Sequence, residues 1–266
     1  MDLQIALMLV QDGIVNGAIY ALMALALVLV FSVTRIIFIP QGEFVAFGAL
    51  TMAMMQGGKV PSTLWLLIAL ALMSLAVDLW RMWRGDLVNW GASFLWSVAI
   101  PVVAAALALL VKPSSLLLQA FTTLCIVTPM GPLMYRLVYR PIADATVLLL
   151  LIVSVAMHGV MVGLGLLFFG AEGSRTPAFS EAQFQLGEMA ISGQSLVVIG
   201  AALALVGGLY AFFDGSMVGK ALRATAINRV GARLMGVPTA LAGDASFALA
   251  ALIGAVSGLL IAPITT

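Results

Sequence analysis

Charge is the scarcest commodity in this 266-residue chain. Asp, Glu, Lys and Arg make up 9% of it and hydrophobic residues 63%, whereas a soluble domain is about a quarter charged. Water is therefore not its main solvent. The chain has one cysteine, Cys125, which can form no intrachain disulfide and reads as a small packing residue. With one His, one Cys and no pair of carboxylates inside a single apolar run, neither a metal centre nor an activated nucleophile can be assembled. A net charge of +1 provides no global field to draw in nucleic acid. The amino terminus, "MDLQIALMLVQDG", opens with an acid and lacks a convincing small-residue cleavage site, so it is expected to belong to the mature protein.

Long apolar runs are abundant. A bilayer core needs roughly 20 mostly apolar residues per spanning helix, and eight runs fall at 14–32, 44–55, 64–79, 92–111, 116–138, 147–169, 190–213 and 240–261. The expected fold is an all-α polytopic transmembrane bundle. The second run is short and follows "FIPQGE", where Pro40 interrupts any helix and Gln41, Gly42 and Glu43 can open a new one. Two readings stay open there: a plain short span, or a re-entrant or broken helix beside a water-lined pathway. With eight alternating runs and the amino terminus outside, Arg35, Arg81, Arg84, Arg136, Arg140, Lys220, Arg223, Arg229 and Arg233 face the cytoplasm, and only Lys59, Lys112 and Arg175 face out. Small residues at helical spacing (Gly13 and Gly17, Gly159 and Gly163, Gly254 and Gly258) permit close helix packing. The tryptophans around residues 80–96 suit a membrane interface.

Polar residues inside the runs are the candidates for a solute path. Asn16, Gln41, Gly42 and Glu43 are singled out, Glu43 above all, because a carboxylate at membrane depth needs a partner or water. His158 lies one helical turn after Ser154 and reads either as part of a pathway or as a neutral imidazole bonded within the bundle.

The other concentration of polar chemistry is "GKALRATAINRVGARLMGVP", residues 219–238, with four of the twelve basic residues and no acid. It is no nucleotide loop: "GSMVGKA" has three residues between its glycines where four are needed, and Ala221 supplies no hydroxyl for magnesium. The chain is not expected to hydrolyse ATP. Leu222, Ala226, Val230 and Leu234 recur every four residues, and Gly236 with Pro238 provides a stop. A short amphipathic helix across the membrane face is expected, and its periodicity favours docking of a partner over a bare topology signal or a lipid-headgroup patch.

This loop and the helix after it, "GKALRATAINRVGARLMGVPTALAGDASFALAALIGAVSGLLIAP", resemble the permease subunits of branched-chain amino acid ABC importers, a family related to urea importers. "NGAIYALMALALVLVFSVTRIIFIPQGEFVAFGAL", "YRLVYRPI" and "GSR" match the same family in the same order. The resemblance covers about half of the chain and implies a dimeric or pseudo-dimeric pathway with a second permease subunit in the lipid bilayer of the bacterial inner membrane. It further implies two cytoplasmic ATPase subunits that hold the ATP, so that no cofactor belongs to this chain, and a periplasmic solute-binding protein. Residues 219–238 become the coupling element, with Gly219, Arg223, Ala226, Asn228, Arg229, Leu234 and Gly236 as contact or shape residues.

The chain departs from the family pattern in places. Ile227 stands where a polar or acidic residue is usual, Pro40-Gln41 replaces Ala-His, residues 77–113 are longer than expected, and the family continues beyond the equivalent of Ile261, so that a fragment or a shortened relative is expected. The reading is a single permease domain over residues 1–266 for an ATP-driven importer. An ion-gradient transporter with Glu43 and His158 as its relay is the rival, and an integral-membrane enzyme is disfavoured by the missing catalytic constellation.

Overall fold

The computed structural model describes residues 3–85, 90–111, 115–171, 173–174, 176–186 and 189–264. Ten helices dominate them: α1 (Leu3–Thr34), α2 (Gln41–Gln56), α3 (Ser62–Trp83), α4 (Trp90–Leu109), α5 (Leu116–Ile142), α6 (Val147–Phe169), α7 (Gly193–Gly215), α8 (Met217–Ile227), α9 (Arg229–Leu234) and α10 (Thr239–Ile261). All but α2, α8 and α9 are long and apolar enough to cross a membrane. Before α7 an antiparallel hairpin pairs β1 (Gln183–Leu186) with β2 (Met189–Ser192). The apolar run that begins at residue 190 thus starts as strand, and the helix begins only where Ser192 caps it, accepting from the Ser195 N–H. Lys112 and Arg175, two of the three cations expected on the outer face, lie outside the described residues.

The second run resolves into a broken span. Sixteen helical residues extend about 24 Å, short of the roughly 30 Å hydrocarbon core. Residues 35–40 make up the difference. Arg35 ends α1 with a positive φ of 63°, and Ile36 and Phe38 then turn fully inward, Phe38 meeting Phe247 and Tyr139 edge-on with ring centroids at 4.8 and 5.9 Å. This non-helical chain is enclosed by protein, the condition under which it is tolerated at membrane depth.

α2 runs parallel to α10: Gln41 and Phe44 lie against Gly254, Gly48 against Ala255, and Val45 with Ala49 against Gly258. The Gln41 amide reaches the carbonyl of Ala250, eleven residues into α10, so α2 starts about 16 Å inside the bundle. Broken though it is, the segment still carries the chain from one face to the other. The eight crossings therefore alternate, and the basic residues at the ends of α1, α3, α5 and α7 share one end of the bundle.

α10 is the most buried of the spanning helices, and its glycines explain why. A side chain at Gly258 would enter the Val45 backbone of α2, and one at Gly243 would enter the Tyr135 ring of α5. Across the interface Gly131 of α5 sits on the Phe247 backbone. A side chain added at Gly13, Gly17, Gly159 or Gly163 would meet nothing within 4 Å among the described residues, so only part of the small-residue pattern is used for internal packing. Proline sets the irregular turns: π turns at Leu95–Ala99 and Tyr135–Tyr139 precede Pro101 and Pro141, whose missing N–H and ring bulk disrupt the ladder behind them.

Candidate functional site

The basic segment folds as two helices, not one. Ser216 caps α8 by accepting from the Gly219 N–H at 2.8 Å. Gly219 itself is pressed against the backbone of Phe212 and Phe213, where a side chain would not fit. Leu222 is fully buried with Val33 and Ala242, and Ala226 packs against them. Then the helix breaks. Asn228 is extended (φ −149°, ψ 97°) and its Oδ1 accepts from the Gly231 N–H at 2.9 Å, which makes it the N-cap of α9. Gly236, at φ +81°, closes the segment in the left-handed conformation that glycine adopts without strain.

The expected single apolar face is accordingly corrected. Residues four apart share a side only along an unbroken helix, and here Leu222 and Ala226 point into the bundle while Val230 and Leu234 point out. Ile227 and Met235 are also exposed in this segment at the basic end, each of the four being between 70% and 84% exposed. Ile227 and Met235 fall outside the four-residue repeat, and their large apolar side chains beside the basic residues were the available signal. Among the cations, Arg223 is half-exposed and 3.8 Å from Asp214. Arg229 donates to the Ala143 carbonyl at 3.3 Å, and Arg233 to Thr239 at 3.4 Å. Arg229 and Arg233 thereby tie α9 to the ends of α5 and α10.

The second cluster lies at mid-depth. Gln41 is buried and donates to the Ala250 carbonyl at 3.0 Å, while its own Oε1 has no partner among the described residues. Gly42 is open on one side of α2. On the adjoining side, Oε1 of Glu43 is 3.2 Å from Nδ1 of His158 on α6. That contact is close enough for an ion pair, yet off-line for a hydrogen bond. Asn16 is not brought into this group; it is exposed on α1. Ser154, one turn before His158, pairs with the Tyr139 hydroxyl at 3.1 Å instead.

A family model described as branched-chain amino acid transport system, permease component, matches residues 9–266. The chain belongs to this permease family. No curated protein and no solved structure matches it.

The permease also holds a buried ion pair that the sequence did not disclose. Arg136 of α5 donates through Nε and Nη2 to Asp244 of α10 at 3.1 and 2.8 Å, with side chains 5% and 3% exposed. Arg136 was expected at the cytoplasmic surface; it lies inside the bundle, because burial of Asp244 on a neighbouring helix needs a counter-charge. The only hint was one acid in an apolar run and one arginine a turn before its neighbour Arg140. Nearby Asp78 accepts from Ser93 at 2.6 Å. Among the described residues, most charged side chains of the permease lie at its basic end, with one ion pair further in and Glu43 with His158 at mid-depth.

Proposed function

We propose that the chain is the membrane-spanning permease of an ATP-driven importer for branched-chain amino acids or a similar small polar solute, in the bacterial inner membrane. Residues 219–238 dock a cytoplasmic ATPase subunit. The observation that carries this reading is the exposure of four large apolar side chains, Ile227, Val230, Leu234 and Met235, within one short segment at the basic end. Large exposed apolar side chains among charged ones mark a protein contact, and Lys220 and Arg223 are exposed on the preceding helix. ATP is held by the partner, and a second permease subunit and a periplasmic binding protein complete the assembly.

The geometry supports a transmission route. α9 is tied by Arg233 to Thr239, the first residue of α10, and α10 packs against α2. Force applied at α9 therefore reaches the helix that bears Gln41, Gly42 and Glu43, which we assign to the solute path. A partner shifts the inward/outward equilibrium only by its difference in affinity for the two states, and docking on a segment fixed to α10 makes that difference available. Copurification of ATPase subunits from mild detergent tests the assembly. In the reconstituted importer, Arg223→Glu with Leu234→Glu is expected to abolish solute-stimulated ATP hydrolysis and uptake while the permease still inserts; unchanged stimulation refutes the docking assignment.

One observation favours a second reading. Glu43 and His158, named as the relay of an ion-gradient transporter, do meet at 3.2 Å. That reading requires uptake by the permease alone, lost when the proton or sodium gradient is collapsed and indifferent to removal of ATPase subunits.

A further inference from the structure

The Glu43 carboxylate is in an unusual position for an ionisable group in a bilayer protein. It lies one turn into α2, close to the level of Ala250 on α10, and its partner His158 is the midpoint of α6. Both are therefore near mid-depth. They are also on the surface of the chain: Glu43 is 17% and His158 43% exposed. An ionisable side chain facing hydrocarbon at this depth is costly enough that such residues face water or another protein. Among the described residues no side chain or backbone group donates a hydrogen bond to the Glu43 carboxylate, and His158 Nδ1 approaches off-line.

The surroundings fit a small visitor. The side of α2 next to Glu43 carries Gly42, Ala46 and Ala53, all half-buried, with nothing within 4 Å of where a Gly42 side chain would be. At the far ends of α2 and α6, ten residues or about 15 Å beyond the pair, a polar-walled cavity of ≈310 Å³ is lined by Lys59, Ser174 and Phe168 among others. Between cavity and pair, Phe47 lies under Gly165, where an added side-chain carbon would be 3.3 Å from its ring, and 6.0 Å from the Phe169 ring, closing the direct line along the groove between α2 and α6.

We propose that Glu43 and His158 form a mid-membrane contact point for the solute, and that the feature recognised is a protonated amine, which donates to Glu43 and displaces His158. The carboxylate repels an anion and has accessible lone pairs with no donor; an ammonium group supplies both the charge and the donors. Phe47 and Phe169 then separate this point from the outer cavity. The proposal rests on the transport reading above, but its test requires neither ATPase nor uptake.

In a Cys125→Ser background, Ala46→Cys is placed beside the pair and Leu203→Cys on the exposed side of α7, with Gly42→Cys as a second reporter should Ala46→Cys not elute as a monodisperse species. The permease in membranes is reacted with a cationic and an anionic methanethiosulfonate. The groove cysteine is expected to react roughly tenfold faster than Leu203→Cys and to prefer the cationic reagent, a preference that falls roughly threefold on Glu43→Gln as one nearby unit charge is removed. 3-Methylbutylamine should slow the reaction and 3-methylbutanoate should not. A groove cysteine as unreactive as Leu203→Cys, a preference indifferent to Glu43→Gln, or equal protection by the carboxylate would each overturn the proposal.

Discussion

Arg136 and Asp244 show how single side chains are constrained inside this bundle. Two hydrogen bonds and a buried ion pair hold them together, while Arg136 Nη1 and Asp244 Oδ1 remain without partners. Removing one member strands the other, at a cost of roughly 3–5 kcal/mol, whereas replacing both with apolar residues is often neutral. Arg136→Met alone should therefore lower the detergent melting temperature markedly, and Arg136→Met with Asp244→Leu should recover most of the loss; equal damage from both would show that the pair contributes no coupling. The two residues are 108 positions apart, and no local pattern announces such a partnership. Glu43 is the contrasting case. A carboxylate beside a polar break is conspicuous in sequence, though its meeting with His158 required the fold. Asn16, conspicuous for the same reason, proved to be separate from both.

At the scale of elements, α2 and α10 carry the architecture. Their parallel contact depends on backbone approaching backbone at Gly258, where a side chain would enter the Val45 carbonyl, and at Gly48, whose added carbon would be 2.8 Å from the Ala255 carbonyl. Gly258→Ala must push the helices apart, and overpacking of this kind costs about 1–3 kcal/mol. Gly163→Ala meets open space. Thermal unfolding should therefore separate the two variants, with Gly258→Ala clearly less stable and Gly163→Ala unchanged or slightly stabilised; similar melting temperatures would refute the packing argument. Sequence spacing treated these glycines alike, because it records periodicity and not which face meets a neighbour. The basic segment carries the same lesson. A four-residue repeat from Leu222 to Leu234 describes one helix face only if the helix is continuous, and the cap formed by Asn228 rotates its second half outward.

For the whole molecule, the decisive property is polarity along the membrane normal. Seven helices can span a membrane, and the broken segment at residues 35–56 adds an eighth crossing, so the basic ends converge. Leu234→Cys in a Cys125→Ser background is expected to react with an impermeant maleimide only in inside-out vesicles, and Gly58→Cys only in right-side-out ones. The reverse pattern would invert the topology and remove the docking surface from the compartment that contains ATP. Membrane residence and the all-helical class were legible in the chain itself, because the bilayer imposes length and apolarity on each crossing independently of its neighbours. The hairpin before α7 escaped notice because its second strand merges into an apolar run. Which helices touch, that Arg136 is buried, that Glu43 meets His158 and that Ile227, Val230, Leu234 and Met235 are all exposed were decided only in three dimensions. Each depends on contacts between segments far apart in sequence, and a local pattern contains no information about which partner lies across the gap.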